Sequence, residues 1–154
     1  MKNPFGGIRV LFVLLSAILF SQFALADAED DVMKVVQQWA ALENDLEAQA
    51  DLIRDDRIQI FGMIRQTNQA QNLRIQLARQ KSRDAVDPGG SVIVTIESPI
   101  IRIYGNTAVV SFVRLFNVFP GNAAPGPAGT SFMTLVLVKE GRDWQIAHLH
   151  GSTN

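Results

Sequence analysis

The chain has no cysteine in its 154 residues. That excludes disulfides, thiolate nucleophiles, thiolate metal sites and a lipid anchor on an N-terminal cysteine. Histidine is almost as scarce, with only His148 and His150, and tyrosine occurs once, as Tyr104. There is no surplus of positive charge either: 14 Lys and Arg stand against 15 Asp and Glu. A nucleic-acid backbone demands a basic face, so this balance excludes nucleic acid as a partner. It also speaks against a polybasic contact with a membrane surface. The sequence contains no P-loop, dinucleotide fingerprint, nucleophile elbow or zinc-protease motif, and nothing in it calls for a cofactor.

One largely apolar run exists, from Val10 to Phe20, and it is only about half of the roughly 20 residues that span a bilayer. Lys2 and Arg9 precede it, and Ala24-Leu25-Ala26 follows. Basic start, apolar centre and small-x-small end form the pattern of a secretory signal peptide. Residues 1–26 are therefore expected to be removed on export, to the periplasm or beyond, leaving no membrane contact. The remainder, 27–154, loses two of the 14 basic residues and none of the 15 acidic ones, for a net charge of −3. It is long enough for one domain held by its own core.

From Asp27 the texture is first helical. Val32, Val35, Val36, Trp39, Leu42 and Leu46 follow the i, i+3, i+4, i+7 spacing. Asn44-Asp45 can end one helix and cap the next, which runs to Ile53 and is closed by Asp55-Asp56. Arg57 to Phe61 alternates polar and apolar residues as a short strand does. Thr67 to Val86 reads as a third, amide-rich helix, stopped by Asp87-Pro88-Gly89-Gly90. Such a helix packs by one face and otherwise reads as hydrated surface.

After Gly90 the residues favour strands: Val92 to Ile96, a break at Pro99 that suggests a bulge or an edge, then Ile100 to Tyr104. Gly105-Asn106 is a hairpin signal. Thr107 to Val118, Thr130 to Lys139 and Trp144 to His150 complete the set, with a Pro/Gly loop from Phe119 to Gly129. Helices followed by an antiparallel meander give an α+β domain in which helices cover one sheet face. The long strand carries Ala108, Val110, Phe112, Arg114 and Phe116 on one face and Val109, Ser111, Val113, Leu115 and Asn117 on the other. Neither face is polar, whereas a sheet with one wet face alternates cleanly. A homodimer through the sheet is the expectation.

The segment Trp144-Gln145-Ile146-Ala147-His148-Leu149-His150-Gly151-Ser152 resembles the closing strand of SnoaL-like members of the NTF2-like superfamily. Gly105 to Val110, Thr134 to Gly141, Asn44-Asp45-Leu46 and Asp55-Asp56 resemble other family segments, in the same order. The resemblance implies a cystatin-like cone, with helices packed in a curved antiparallel sheet and a pocket at the open end. Ketosteroid isomerases, polyketide cyclases and dehydratases share this fold with proteins that only associate, so fold does not settle function. The isomerases use a pocket tyrosine and a pair of aspartates. Tyr104 lies beside the Gly105-Asn106 turn instead, so that catalytic set is not transferred.

Candidate residues follow from chemistry. His148 and His150 are two apart in a strand and share a face, on simple alternation the face of Trp144 and Ile146. They can exchange protons near neutral pH, hold a metal with a third ligand from Asp55, Asp56 or Glu43, or serve structure alone. Asp56 is the candidate base beside them, or a solvated cap. Arg114 interrupts an apolar face and can bind an anionic group or form a salt bridge. Trp39, Phe112 and Trp144 are candidate aromatic walls for a small, largely apolar molecule. Three functions stay open: a binding module, a cofactor-free isomerase, dehydratase or cyclase, and an association module.

Overall fold

The computed structural model describes residues 27–153. The expected signal segment, 1–26, lies outside them. Residues 27–41 form helix α1, in which Val32, Val36, Trp39 and Ala40 are all buried. Helical spacing places these four on one stripe. A 3-10 turn, Leu42–Asn44, leads to the short helix α2, Leu46–Ala50. Asp45 caps α2 by accepting from the Ala48 N–H at 3.1 Å. Asn44 ties the joint to the sheet, donating to the Val92 carbonyl at 2.6 Å and accepting from the Val92 N–H at 2.9 Å.

Helix α2 is shorter than the sequence suggests, because strand β1, Ile53–Phe61, already begins at Ile53. Asp55 and Asp56 therefore lie within β1 and do not close a helix. A turn at Gly62-Met63, with Gly62 at φ 56°, folds β1 back onto a further short strand, β2, Ile64–Gln66. Helix α3, Gln69–Val86, starts at Asn68, whose side chain accepts from the Gln71 N–H at 2.8 Å. Strands β3 (Ser91–Tyr104), β4 (Thr107–Phe119), β5 (Gly129–Glu140) and β6 (Asp143–Thr153) form the meander.

The sheet order is β2-β1-β6-β5-β4-β3. All neighbours are antiparallel except β1 and β6, which are parallel. The chain reaches β1 before the helix α3 crossover, so β1 joins the meander at its last strand. β3 runs unbroken past Pro99 with a register shift between Glu97 and Ile100 and with Ser98 at φ 50°. Proline is tolerated there because β3 is an edge strand.

The sheet is curved, and α1 fills its concave side. Val32, Val36, Trp39 and Ala40 meet Ala108, Val110 and Phe112 of β4, Met133, Leu135 and Leu137 of β5, and Trp144, Ile146 and Leu149 of β6. Each aliphatic side chain buried here contributes about 1.5–3 kcal/mol. As expected, the even-numbered residues of β4 from 108 to 112 face this core. The chain thus has the α+β cone architecture that its sequence implies.

Candidate functional site

Helices α1 and α2 do not fill the whole concave side. Between them, α3, β1 and the sheet lies a cavity of about 510 Å³. That volume lies in the range of small-molecule sites. Trp39, Leu46, Ile53, Phe61, Met133 and Leu149 supply its apolar wall. Gln49, Gln59, Gln66, Asn72, Gln76 and Gln80 supply amides, and Arg57, Arg79, Arg83, Arg114 and Glu43 supply charge.

Strand β1 sets much of this wall through an irregularity. Its parallel pairing with β6 places Ile53 opposite Ile146 and resumes with Ile58 opposite His148. Five steps on β1 thus oppose two on β6, and the extra residues arch away from the ladder. Arg57, at the end of the arch, and Gln59 and Phe61 beyond it line the cavity, whereas Ile58 points out and is 44% exposed. The usual polar-out alternation is inverted here because the interior is a cavity and not a packed core.

Among the described residues, Arg57 is the most deeply buried charge, at 2% exposure. Its Nε donates to Gln69 Oε1 at 2.5 Å, and its Nη1 donates to Gln59 Oε1. Its Nη2 is buried without a protein partner. Burial pushes the guanidinium down to about 10, which still leaves it charged at neutral pH. Arg114, on β4, is lowered by burial, with Glu43 opposing the shift. Its Nη2 lies 3.7 Å from Glu43 Oε1, and its guanidinium sits 4.5 Å from the Phe116 ring centroid and 5.9 Å from that of Trp39. Gln49 holds Glu43 and the end of α1 together, donating to the Trp39 carbonyl at 2.8 Å and to Glu43 Oε2 at 3.3 Å.

The candidate residues from the sequence fall in three places. Trp39 and Arg114 line the cavity. Phe112 and Trp144 are buried in the core behind it, Phe112 packing edge-on against Trp39 at 6.4 Å. Asp56 sits outside the cavity, 69% exposed and hydrogen-bonded by Arg54 at 2.7 and 2.9 Å. That donation holds its carboxyl below the usual carboxylate range.

The histidines require a correction. They share a face with each other, ring centroids 6.3 Å apart, but not with Trp144 and Ile146. Ile146 pairs with Leu137 while His148 pairs with Val136, so Ala147 is an extra residue on β6. This bulge switches the alternation. Leu149 and Gly151 continue the inner face, and His148 and His150 turn outward beside Val136 and Thr134. Among the described residues, no three His, Asp or Glu side chains converge as a metal site would require.

Sequence reasoning overlooked Arg57 and the α3 side chains. The signal was the composition of α3: its buried residues are Gln69 and Asn72, not leucines. Asn72, Gln76, Arg79, Gln80 and Arg83 lie at spacings of three and four and face the cavity together. The amide-rich face is therefore a cavity wall.

Comparison with known proteins agrees with this geometry. Residues 32–154 match the SnoaL-like domain. No curated protein matches the chain. An NTF2-like protein with a cystatin-like fold from Novosphingobium aromaticivorans superposes with a TM-score of 0.73 at 13% identity, over 88% of this chain and 87% of that one. The beta subunit of the benzoate 1,2-dioxygenase from Burkholderia mallei gives 0.69 at 15%, over 81% and 89%. ActVI-ORFA from Streptomyces coelicolor gives 0.72 at 10%, over 84% and 96%. At such identities these likenesses concern the fold alone. With the match over residues 32–154, the chain belongs to the SnoaL-like family, and its six-stranded cone is an NTF2-like, cystatin-like fold.

Proposed function

We propose that the chain is an exported small-molecule-binding module whose ligand occupies the cavity between α3 and the concave sheet. The observation that carries this reading is the two-sided lining of a 510 Å³ space, apolar on one wall and amide-rich on the other. Sites of this kind gain affinity from apolar contact and orientation from a few polar groups. The polar wall shifts the expected ligand from largely apolar to amphipathic.

Binding is favoured over proton-transfer catalysis because Asp56, His148 and His150 lie off the lining. The lining carboxylate, Glu43, is engaged by Arg114 and Gln49. The test is a fragment screen by NMR, following the methyl groups of Met133 and Leu149. Ligands are expected to shift these methyls, and the paired substitution His148→Ala, His150→Ala is expected to leave affinity within about twofold. If substrate turnover appeared and fell by about 10² on removing the histidines, the enzyme reading would replace this one.

A second reading concerns the outer sheet face and has its own observation. Ile93 (53% exposed), Ile100 (57%), Tyr104 (67%) and Phe132 (59%) stand on it, with Val109, Val113, Leu115 and Val136 half-buried between them. Exposed large apolar side chains gathered on one sheet face, though interrupted by Glu97, Arg102 and Ser111, suit an association surface. We infer a homodimer formed by two such faces, leaving each cavity on the far side.

A further inference from the structure

We propose that the cavity is an anion site, and that its ligand is a small organic carboxylate with an apolar body. The proposal rests on the binding reading above and names the ligand class for the same cavity.

The first observation is charge. Four guanidinium groups line the cavity, from Arg57, Arg79, Arg83 and Arg114, against the single carboxylate of Glu43. The whole chain has a net charge of −1, so this concentration of positive charge is local. Like charges gathered around one space repel each other, and the repulsion strengthens as water is excluded.

The second observation is how these charges are paired. Buried cations in proteins normally meet a carboxylate. Arg57 is 2% exposed, yet its two hydrogen bonds go to neutral amides, Gln59 and Gln69. Arg114 has its nearest carboxylate at 3.7 Å, and Arg83 at 3.8 Å from Asp84. Neither separation is a good hydrogen bond.

The third observation is which donors remain free. Arg57 Nη2, Arg83 Nε and Arg114 Nε are all buried without a protein partner. The three arginines stand on β1, α3 and β4, and all three line this cavity. Trp144 Nε1, buried in the core, is the one other donor of this kind among the described residues. A carboxylate is acceptor-only and has room for about four hydrogen bonds, so it can take donors from guanidinium groups on several walls. Trp39, Phe61, Met133 and Leu149 provide contact for the rest of the molecule.

The experiment titrates the purified, exported chain by calorimetry with a matched panel: aliphatic and aryl carboxylates of two to ten carbons, and the primary amide of each. Sodium sulfate and sodium phosphate are run alone. The best acid is expected to bind at least tenfold more tightly than its amide. Arg57→Met and Arg114→Met are each expected to weaken that acid tenfold or more and to change the amide by less than threefold. Arg79→Gln, at a largely exposed position, is expected to weaken the acid without any change in folding, which separates charge from packing. Equal binding of acids and amides would overturn the anion proposal and leave the binding reading standing. Sulfate or phosphate binding as tightly as the best acid would overturn the organic carboxylate in favour of an inorganic anion. If neither series binds but other fragments shift the Met133 methyl, only the anion proposal falls. If no compound of any class shifts that methyl, both fall.

Discussion

Replacing Arg57 by methionine should cost the protein little or no stability. The wild-type side chain carries a charge at 2% exposure, and burial holds it at about 10, well below ordinary arginine. One pKa unit corresponds to about 1.4 kcal/mol, so holding this charge inside costs about 3 kcal/mol. Methionine keeps an unbranched stem and removes the charge. It also removes the hydrogen bonds to Gln69 and Gln59, each worth about 1.5 kcal/mol because the donor is charged. The two effects roughly cancel, so Tm should stay within about 4 °C of wild type. Urea unfolding followed by the fluorescence of Trp39 and Trp144 measures it, provided the slope with urea is unchanged. The sign with pH is also fixed. Folding with a depressed basic pKa disfavours the charged form, so the penalty is full at neutral pH. It fades as pH rises through about 10, where the folded protein sheds the proton. Wild type should therefore gain stability relative to the variant above that pH. A loss of more than about 2 kcal/mol in Arg57→Met would refute the reasoning, because Arg57 would then be a structural keystone.

The remaining predictions concern the sheet's two faces. Phe132→Glu, at a 59% exposed outer position, should convert the proposed dimer to monomer by light scattering while leaving Tm within about 3 °C. Unchanged mass at micromolar concentration would remove the outer face as the dimer surface. On the inner face, a Cβ at Gly151 would lie 2.4 Å from Phe61 Cδ2 and 2.7 Å from Met133 Sδ. Gly151→Ala should therefore destabilise by about 1–3 kcal/mol, and it should also disturb ligand affinity, because both neighbours line the cavity. Wild-type stability and affinity in that variant would show that β6 moves freely at this point.

Much of the architecture was legible in the sequence because local signals there agree. The spacing of Val32, Val36 and Trp39, the cap at Asp45, the turn at Gly105-Asn106 and the inward even residues of β4 all point to one fold. The end of α2 was not legible, since Leu52 and Ile53 suit a helix or a strand equally. The face of His148 and His150 was hidden for a different reason. A single bulged residue, Ala147, reverses every side chain beyond it, and nothing in its identity announces the bulge. Arg57 was passed over and the amide-rich helix was read as hydrated surface because polar residues ordinarily face water. A cavity gives polar side chains an inward place, and Gln69 and Asn72 buried on α3 are its trace.

The claim that the cavity holds a small molecule is tested most directly by native mass spectrometry of gently purified protein. Wild type is compared with Leu149→Trp, which puts an indole into the space that Leu149 lines. A wild-type mass carrying an adduct of about a few hundred daltons, lost in Leu149→Trp and restored by adding back the extracted compound to wild type alone, is the expected result. An adduct retained equally by both proteins would place the ligand elsewhere and contradict the assignment of the cavity as the site.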